Sequence, residues 1–200
     1  MKVVFSIPTS LYRPGLLAEN LAILDKQCSD SSQDCKIHVI SDKTWNIAAK
    51  YNAGARAQSE FDFICFMHDD IRIEHPNWID YCVNKEFAGL QKHTKPYFYD
   101  GALWASKKVW EKIGCFDEKL IGERETEDFC YRAKLLDINI EPMIFMYRHF
   151  NSGLNHIKDP IWCRANPDPS DIGKINMGYV RSVMATRAYF KDKWNLSSLD

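Results

Sequence analysis

A chain of 200 residues with 46% hydrophobic and 26% charged side chains has the composition of a globular protein, with room for one α/β domain or at most two small ones. At this length roughly 70% of the unfolded surface can be buried, so the core needs no staples. Twenty-six Lys and Arg against 27 Asp and Glu leave a net charge of −1, which argues against general nucleic-acid binding, and no apolar run nears the ~20 residues of a membrane span.

The first predicted element is a buried strand over Lys2–Ile7, closed by Pro8-Thr9-Ser10. Leu17, Leu21 and Leu24 then recur at helical spacing and predict a helix over about 16–27. Ile37–Ile40 reads as a second strand closed by Ser41-Asp42, and the Ala-rich Asn46–Ser59 as a second helix. Phe61–Met67 is nearly all apolar, the pattern of a strand covered on both faces, and stops at His68-Asp69-Asp70. Three strands alternating with two helices in 70 residues are the signature of a doubly wound, nucleotide-binding half. Beyond it the pattern predicts short helices over Val109–Ile113 and Thr126–Leu136, a strand-like stretch over Ile138–Tyr147 interrupted by Pro142, and a last helix over about 175–194.

Seven cysteines without a Cys-x-x-Cys pair point to a reducing compartment. The strand-like start leaves no room for a signal peptide, so a soluble, cytoplasmic protein is expected.

Four constellations carry chemistry. His68-Asp69-Asp70 stands at the carboxyl end of an apolar strand, where open α/β sheets bind ligands; two adjacent carboxylates there suit a hard divalent cation such as Mn²⁺ or Mg²⁺. The bland reading is a surface turn. Asp42 ends the second strand beside Thr9 and Ser10 and is placed to accept a hydrogen bond from a base or ribose, unless it merely caps a turn. Glu123 to Asp128 packs four carboxylates into six residues. A Thr126 helix cap and dipole complementarity explain only part of that density. Arg148-His149, ahead of Gly153, offers an imidazole for a metal or a cation for a pyrophosphate.

Taken in order, these pieces resemble family-2 nucleotide-sugar glycosyltransferases of the A-type fold. Val3–Thr9 is similar to their opening strand, Asn52-Ala53-Gly54-Ala55 to their Asn-x-Gly-Ala helix, and Phe63–Asp70 to the strand bearing Asp-x-Asp. Gly101-Ala102-Leu103 through Asp117-Glu118 resembles their acceptor-side segment, Glu127-Asp128 their Glu-Asp motif, and His149 a late metal-binding His. Two departures stand out: His68 replaces the first Asp of Asp-x-Asp, and Gln-x-x-Arg-Trp is missing, which speaks against processive synthesis.

The resemblance implies a Rossmann-like GT-A fold with a mostly parallel central sheet flanked by helices. Residues 1–156 would form the catalytic domain (nucleotide half 1–70, acceptor half 71–156) and 157–200 a C-terminal extension. It implies transfer of one sugar from a nucleoside diphosphate, UDP favoured, to a hydroxyl of a carbohydrate or of a lipid- or protein-linked glycan, with inversion. Pro8, Thr9, Ser10, Asp42, Asn52 and Asp69 would bind the nucleotide; Asp70, His149 and Asp69 the Mn²⁺ or Mg²⁺; Gly101, Ala102 and Trp104 the acceptor. Asp128, beside Glu127, would be the base. The competing readings are a nucleotidyltransferase, although the Gly-rich basic loop after the first strand is missing, and a non-catalytic nucleotide-sugar-binding module of a larger protein.

Overall fold

The computed structural model of the chain describes residues 1–9, 14–41, 44, 46–91, 99–121, 123–150 and 184–196. Its first half follows the expected alternation: β1 (Lys2–Thr9), α1 (Pro14–Asp30), β2 (Asp34–Ser41), α2 (Ile47–Ala57) and β3 (Phe63–Met67). The Asn46 side chain accepts from the Ala49 amide at 3.0 Å and caps α2. After β3 come β4 (Ile71–Ile73), α3 (Trp78–Cys82), β5 (Phe87–Gln91), β6 (Tyr99–Ser106), α4 (Lys107–Ile113), α5 (Glu125–Leu135), β7 (Glu141–Met143) and β8 (Tyr147–His149). A last helix, α6, spans 184–194.

Six strands form one sheet in the order β2-β1-β3-β6-β5-β7. Only β6 runs against its neighbours, so the sheet is mostly parallel, as expected. Alternation along the central strands divides the core. Val3, Phe5 and Ile7 of β1 and Phe63, Cys65 and Met67 of β3 pack with Leu17 and Leu24 of α1 and with Trp78 of α3. Val4, Ile64 and Phe66 face the other way, onto Tyr51 and Ala55 of α2, Val109 of α4 and Phe129 of α5. Helices therefore cover both faces, which explains the unbroken apolar run of β3.

The expected strand over 138–147 is two short strands in different sheets. β7 joins the edge of the main sheet, whereas β8 pairs antiparallel with β4 in a separate two-stranded ribbon. The expected boundary at residue 156, the start of the last helix, and the prolines at 160, 167 and 169 all lie outside the described residues. All six described cysteines are free, and no helix among the described residues is long and apolar enough to cross a membrane.

Gly54 shows why α2 carries glycine where it crosses β1. A Cβ there would lie 2.0 Å from Ser6 Oγ and 2.7 Å from Ser6 Cβ. Alanine gains roughly 1 kcal/mol of helix propensity but must push α2 off the sheet, at a cost of roughly 1–3 kcal/mol. Gly54→Ala is therefore expected to lower the melting temperature, and adding Ser6→Gly to recover part of the loss. A variant melting at or above wild type would remove close packing as the reason for this glycine.

Candidate metal and nucleotide site

The parallel strands β1, β2 and β3 end on one edge of the sheet, and the antiparallel β6 begins there. His68 extends β3 at that edge and its amide donates to Gly101 O at 2.8 Å. Asp69 and Asp70 form the turn into β4, and the β4–β8 ribbon folds back so that Ile71 faces His149 and the Phe150 amide donates to Asp70 O at 2.9 Å. This pairing brings the His149 imidazole to 3.5 Å from the Asp70 carboxylate, which is only 1% exposed. Among the described residues, His68, Asp70 and His149 form a group whose ligand atoms all lie within 4.8 Å of one another.

A ring of polar contacts fixes the turn. Thr9 Oγ1 donates to Asp69 Oδ2 at 2.7 Å, and the buried Asn20 of α1 donates to Asp69 O at 2.9 Å. The Arg72 guanidinium donates to Asn20 Oδ1 at 2.9 and 3.1 Å and lies 4.7 Å over the Phe150 ring. Lys50 of α2, 2% exposed, donates to Thr9 O at 2.9 Å and to Thr44 O at 2.7 Å, tying the end of β1 to the loop before α2. Sequence reasoning missed Asn20, Lys50 and Arg72. Lys50 stands in the very helix the resemblance singled out; Asn20 and Arg72 have no local signal.

Gly101 adopts φ 94°, and a Cβ there would meet Ile71 Cδ1 at 2.5 Å. Glycine at this point lets β6 pass close to the ribbon while holding His68.

The structure sets several of the expected site residues in specific surroundings. Asp69 spends one carboxylate oxygen on Thr9 and is not a member of the metal-ligand group; His68 takes that place. Asn52 is 1% exposed. Its amide donates to Phe116 O and Glu118 Oε1 and accepts from the Phe116 amide, all at 2.9 Å, so it braces the 116–118 segment instead of facing a nucleotide. Trp104 and Ala102 are at most 1% exposed, and Trp104 stacks on Phe63 at 5.4 Å within the core, which leaves it no surface for an acceptor. Pro8 is buried within β1, and Thr9, 3% exposed, meets Asp69 at the rim. Ser10 and Asp42 lie outside the described residues.

The acidic cluster divides three ways. Asp128 is fully buried: Oδ2 accepts from Arg132 Nε at 2.9 Å, and Oδ1 from Trp194 Nε1 at 3.0 Å and Lys193 Nζ at 2.7 Å. With both oxygens occupied by two cations and an indole, it anchors α6 to α5. Glu127 pairs with Arg124; burial pushes its carboxyl up, against the lowering effect of that arginine. Glu125, at the first position of α5, is the member that reaches the site. It is 3% exposed, its Oε1 stands 3.7 Å from His68 Nε2, and its Oε2 has no hydrogen-bond partner among the described residues. A separation of 3.7 Å is beyond a hydrogen bond.

The anchor of α6 continues at Asp117. Burial pushes the Asp117 carboxyl up, but hydrogen bonds from Lys193 and Tyr189, both 2.7 Å, outweigh it and hold it below 3.8. Burial likewise lowers Lys193, yet Asp117 and Asp128 together raise it above 10.5. The Asp117 contribution is thus present above its unfolded value near 3.8 and is lost as pH falls through the lower folded value. That of Lys193 is present below 10.5 and is lost as pH rises through the higher one. Asp128→Asn should destabilise the fold by roughly 1.5–3 kcal/mol, because it strips charge-assisted bonds from Arg132 and Lys193. Asp117→Asn should flatten the acid limb of the melting-temperature profile. An Asp128→Asn protein as stable as wild type would leave the anchor without energetic weight.

No protein-family model matches the sequence, and no curated protein does either. Solved structures do match. The catalytic domain of Drosophila beta-1,4-galactosyltransferase 7 in complex with xylobiose aligns with a TM-score of 0.65 at 14% identity, covering 76% of this chain and 71% of that one. A mutant of the same Drosophila enzyme in complex with manganese, UDP-Gal and xylobiose aligns at 0.66 and 14% identity, covering 79% and 73%. A mannosyltransferase from Pyrobaculum calidifontis, in complex with GDP-Man and Mn²⁺, aligns at 0.50 and 10% identity, covering 99% and 76%. At these identities the likeness establishes the architecture: the chain has the A-type nucleotide-sugar glycosyltransferase fold.

Proposed function

We propose that the chain is a metal-dependent glycosyltransferase moving one sugar from a nucleoside diphosphate sugar, UDP favoured, to an acceptor hydroxyl with inversion. The observation that carries this reading is the His68–Asp70–His149 group at the carboxyl edge of a mostly parallel sheet. The site fits a divalent cation: two imidazoles and a carboxylate buried to 1% converge, a nitrogen and oxygen donor set suited to such an ion. The galactosyltransferase and mannosyltransferase of the same fold carry manganese with UDP-Gal and GDP-Man, which supports the choice of ligands.

When bound, the cation would neutralise the charge that develops on a departing diphosphate. This chain's residues supply the rest. His68, Asp70 and His149 hold the metal. Asp69, oriented by Thr9, stands at the rim where a ribose hydroxyl would be recognised. An acceptor hydroxyl, from a carbohydrate or a lipid- or protein-linked glycan, needs a base to become a nucleophile. Glu125 takes that role in place of Asp128, because among Glu125, Glu127 and Asp128 it alone has an unpartnered buried oxygen and reaches His68. Asp42 as a base-reading residue remains part of the proposal.

UDP release from UDP-sugars should require Mn²⁺ and stop in EDTA; a binding module would hold UDP-sugar without turnover, and a nucleotidyltransferase would instead consume a nucleoside triphosphate. Glu125→Gln is expected to lower transfer by roughly 10²–10⁴-fold while UDP binding stays close to wild type. Full transfer by Glu125→Gln would remove it as the base.

A further inference from the structure

The composition of the ligand group goes beyond the need for a metal. We propose that His68 is a direct metal ligand and that the site is a preformed two-histidine, one-carboxylate centre. Such a centre binds Mn²⁺, Co²⁺ or Zn²⁺ without nucleotide and rejects Mg²⁺. The inference rests on the metal-dependent reading above and sharpens it to the identity of the ion and the order of binding.

Three observations carry it. First, the side chain completing the group is an imidazole, since Asp69, the neighbouring carboxylate, is turned to Thr9. Second, each ligand is set by backbone pairing and not by surface rotamers. His68 is fixed through its amide on Gly101 O and by ring stacking with Tyr51, with centroids 6.2 Å apart and planes at 18°. His149 is fixed by the β4–β8 register, and Asp70 by the Phe150 amide on its carbonyl. Third, the His68 and His149 rings lie 6.5 Å apart at 63°, both near the same buried carboxylate.

The chemistry then selects. Mg²⁺ is hard, demands near-octahedral oxygen ligands and gives up water reluctantly, so one carboxylate and two nitrogens hold it poorly. Imidazole nitrogen suits transition ions, whose affinities rise from Mn²⁺ through Co²⁺ in the usual order, with Zn²⁺ also above Mn²⁺. With three protein ligands in place, the ion needs no diphosphate to stay bound. Replacing His68 by Asp exchanges a nitrogen for an oxygen donor at the same point of the chain and should restore tolerance of Mg²⁺.

The test is a titration of the whole chain with Mn²⁺ alone, read from the loss of the free-ion electron paramagnetic resonance signal, with Zn²⁺ or Mg²⁺ as competitor. Wild type is expected to bind one Mn²⁺, to release it to Zn²⁺, and to keep it against roughly a hundredfold excess of Mg²⁺. His68→Gln should lose at least roughly tenfold in Mn²⁺ affinity, and His68→Asp should retain Mn²⁺ but surrender it to Mg²⁺. Circular dichroism melts confirm that both variants fold, and the two substitutions give independent readings if one does not. Equal displacement by Mg²⁺ and Zn²⁺, unchanged affinity in His68→Gln, or Mn²⁺ uptake only in the presence of UDP would each overturn the inference and leave the metal-dependent reading standing. No Mn²⁺ uptake with or without UDP would overturn both.

Discussion

The Asp70 carboxylate, buried to 1% at the edge of the sheet with two imidazoles converging on it, is the constraint around which the site is arranged. The fold answers by returning the chain from β7 through β8, so that His149 arrives at 3.5 Å through antiparallel pairing with β4. Glycine at 101 lets β6 come close enough to hold the His68 amide, because it adopts a φ of 94° and carries no Cβ to collide with Ile71. Asn20 and Arg72 then lock the turn from outside, linking α1 to the ribbon. Each of these is a backbone or buried contact, so the ligand geometry follows from folding and not from flexible side chains at the surface.

Two carboxylates in the first turn of α5 meet different neighbours. Its first residue, Glu125, faces the metal group, while Asp128, one turn on, ties the helix to α6 through Lys193 and Trp194. Phe190 is 1% exposed, and Thr186 both donates to and accepts from the Ile121 backbone, so α6 packs as part of the domain. Holding α5 from behind fixes where Glu125 can reach.

How much of this was legible in the sequence depends on whether the cause was local. β1, α1, α2 and β3 announce themselves through β-branched runs, leucine spacing and an unbroken apolar segment, and their strand–helix order implied the parallel half. β5 and β6 (FAGLQ and YDGALWAS) carry Gly and Ala where strands usually show β-branched residues, and they escaped notice. The stretch over 138–147 looked like one strand because period-two patterning cannot say which of two sheets a residue joins. His149 was legible only through resemblance, since nothing local to it predicts pairing with Ile71. Asp128 is ambiguous in the sequence because a carboxylate four residues before Arg132 fits both a catalytic motif and a helix salt bridge; its other partners, Lys193 and Trp194, come from a distant helix. The burial of Asn52 and Trp104 was not legible for a related reason: a motif fixes residue identity, while burial depends on the packing of distant elements.

The most direct test of the account is anomalous diffraction at the manganese edge from crystals of the full chain grown with Mn²⁺ and UDP. The account predicts a single strong peak enclosed by the side chains of His68, Asp70 and His149, with the UDP diphosphate on its open side. A peak held by Asp69 without His68, or manganese found only elsewhere on the surface, would contradict it.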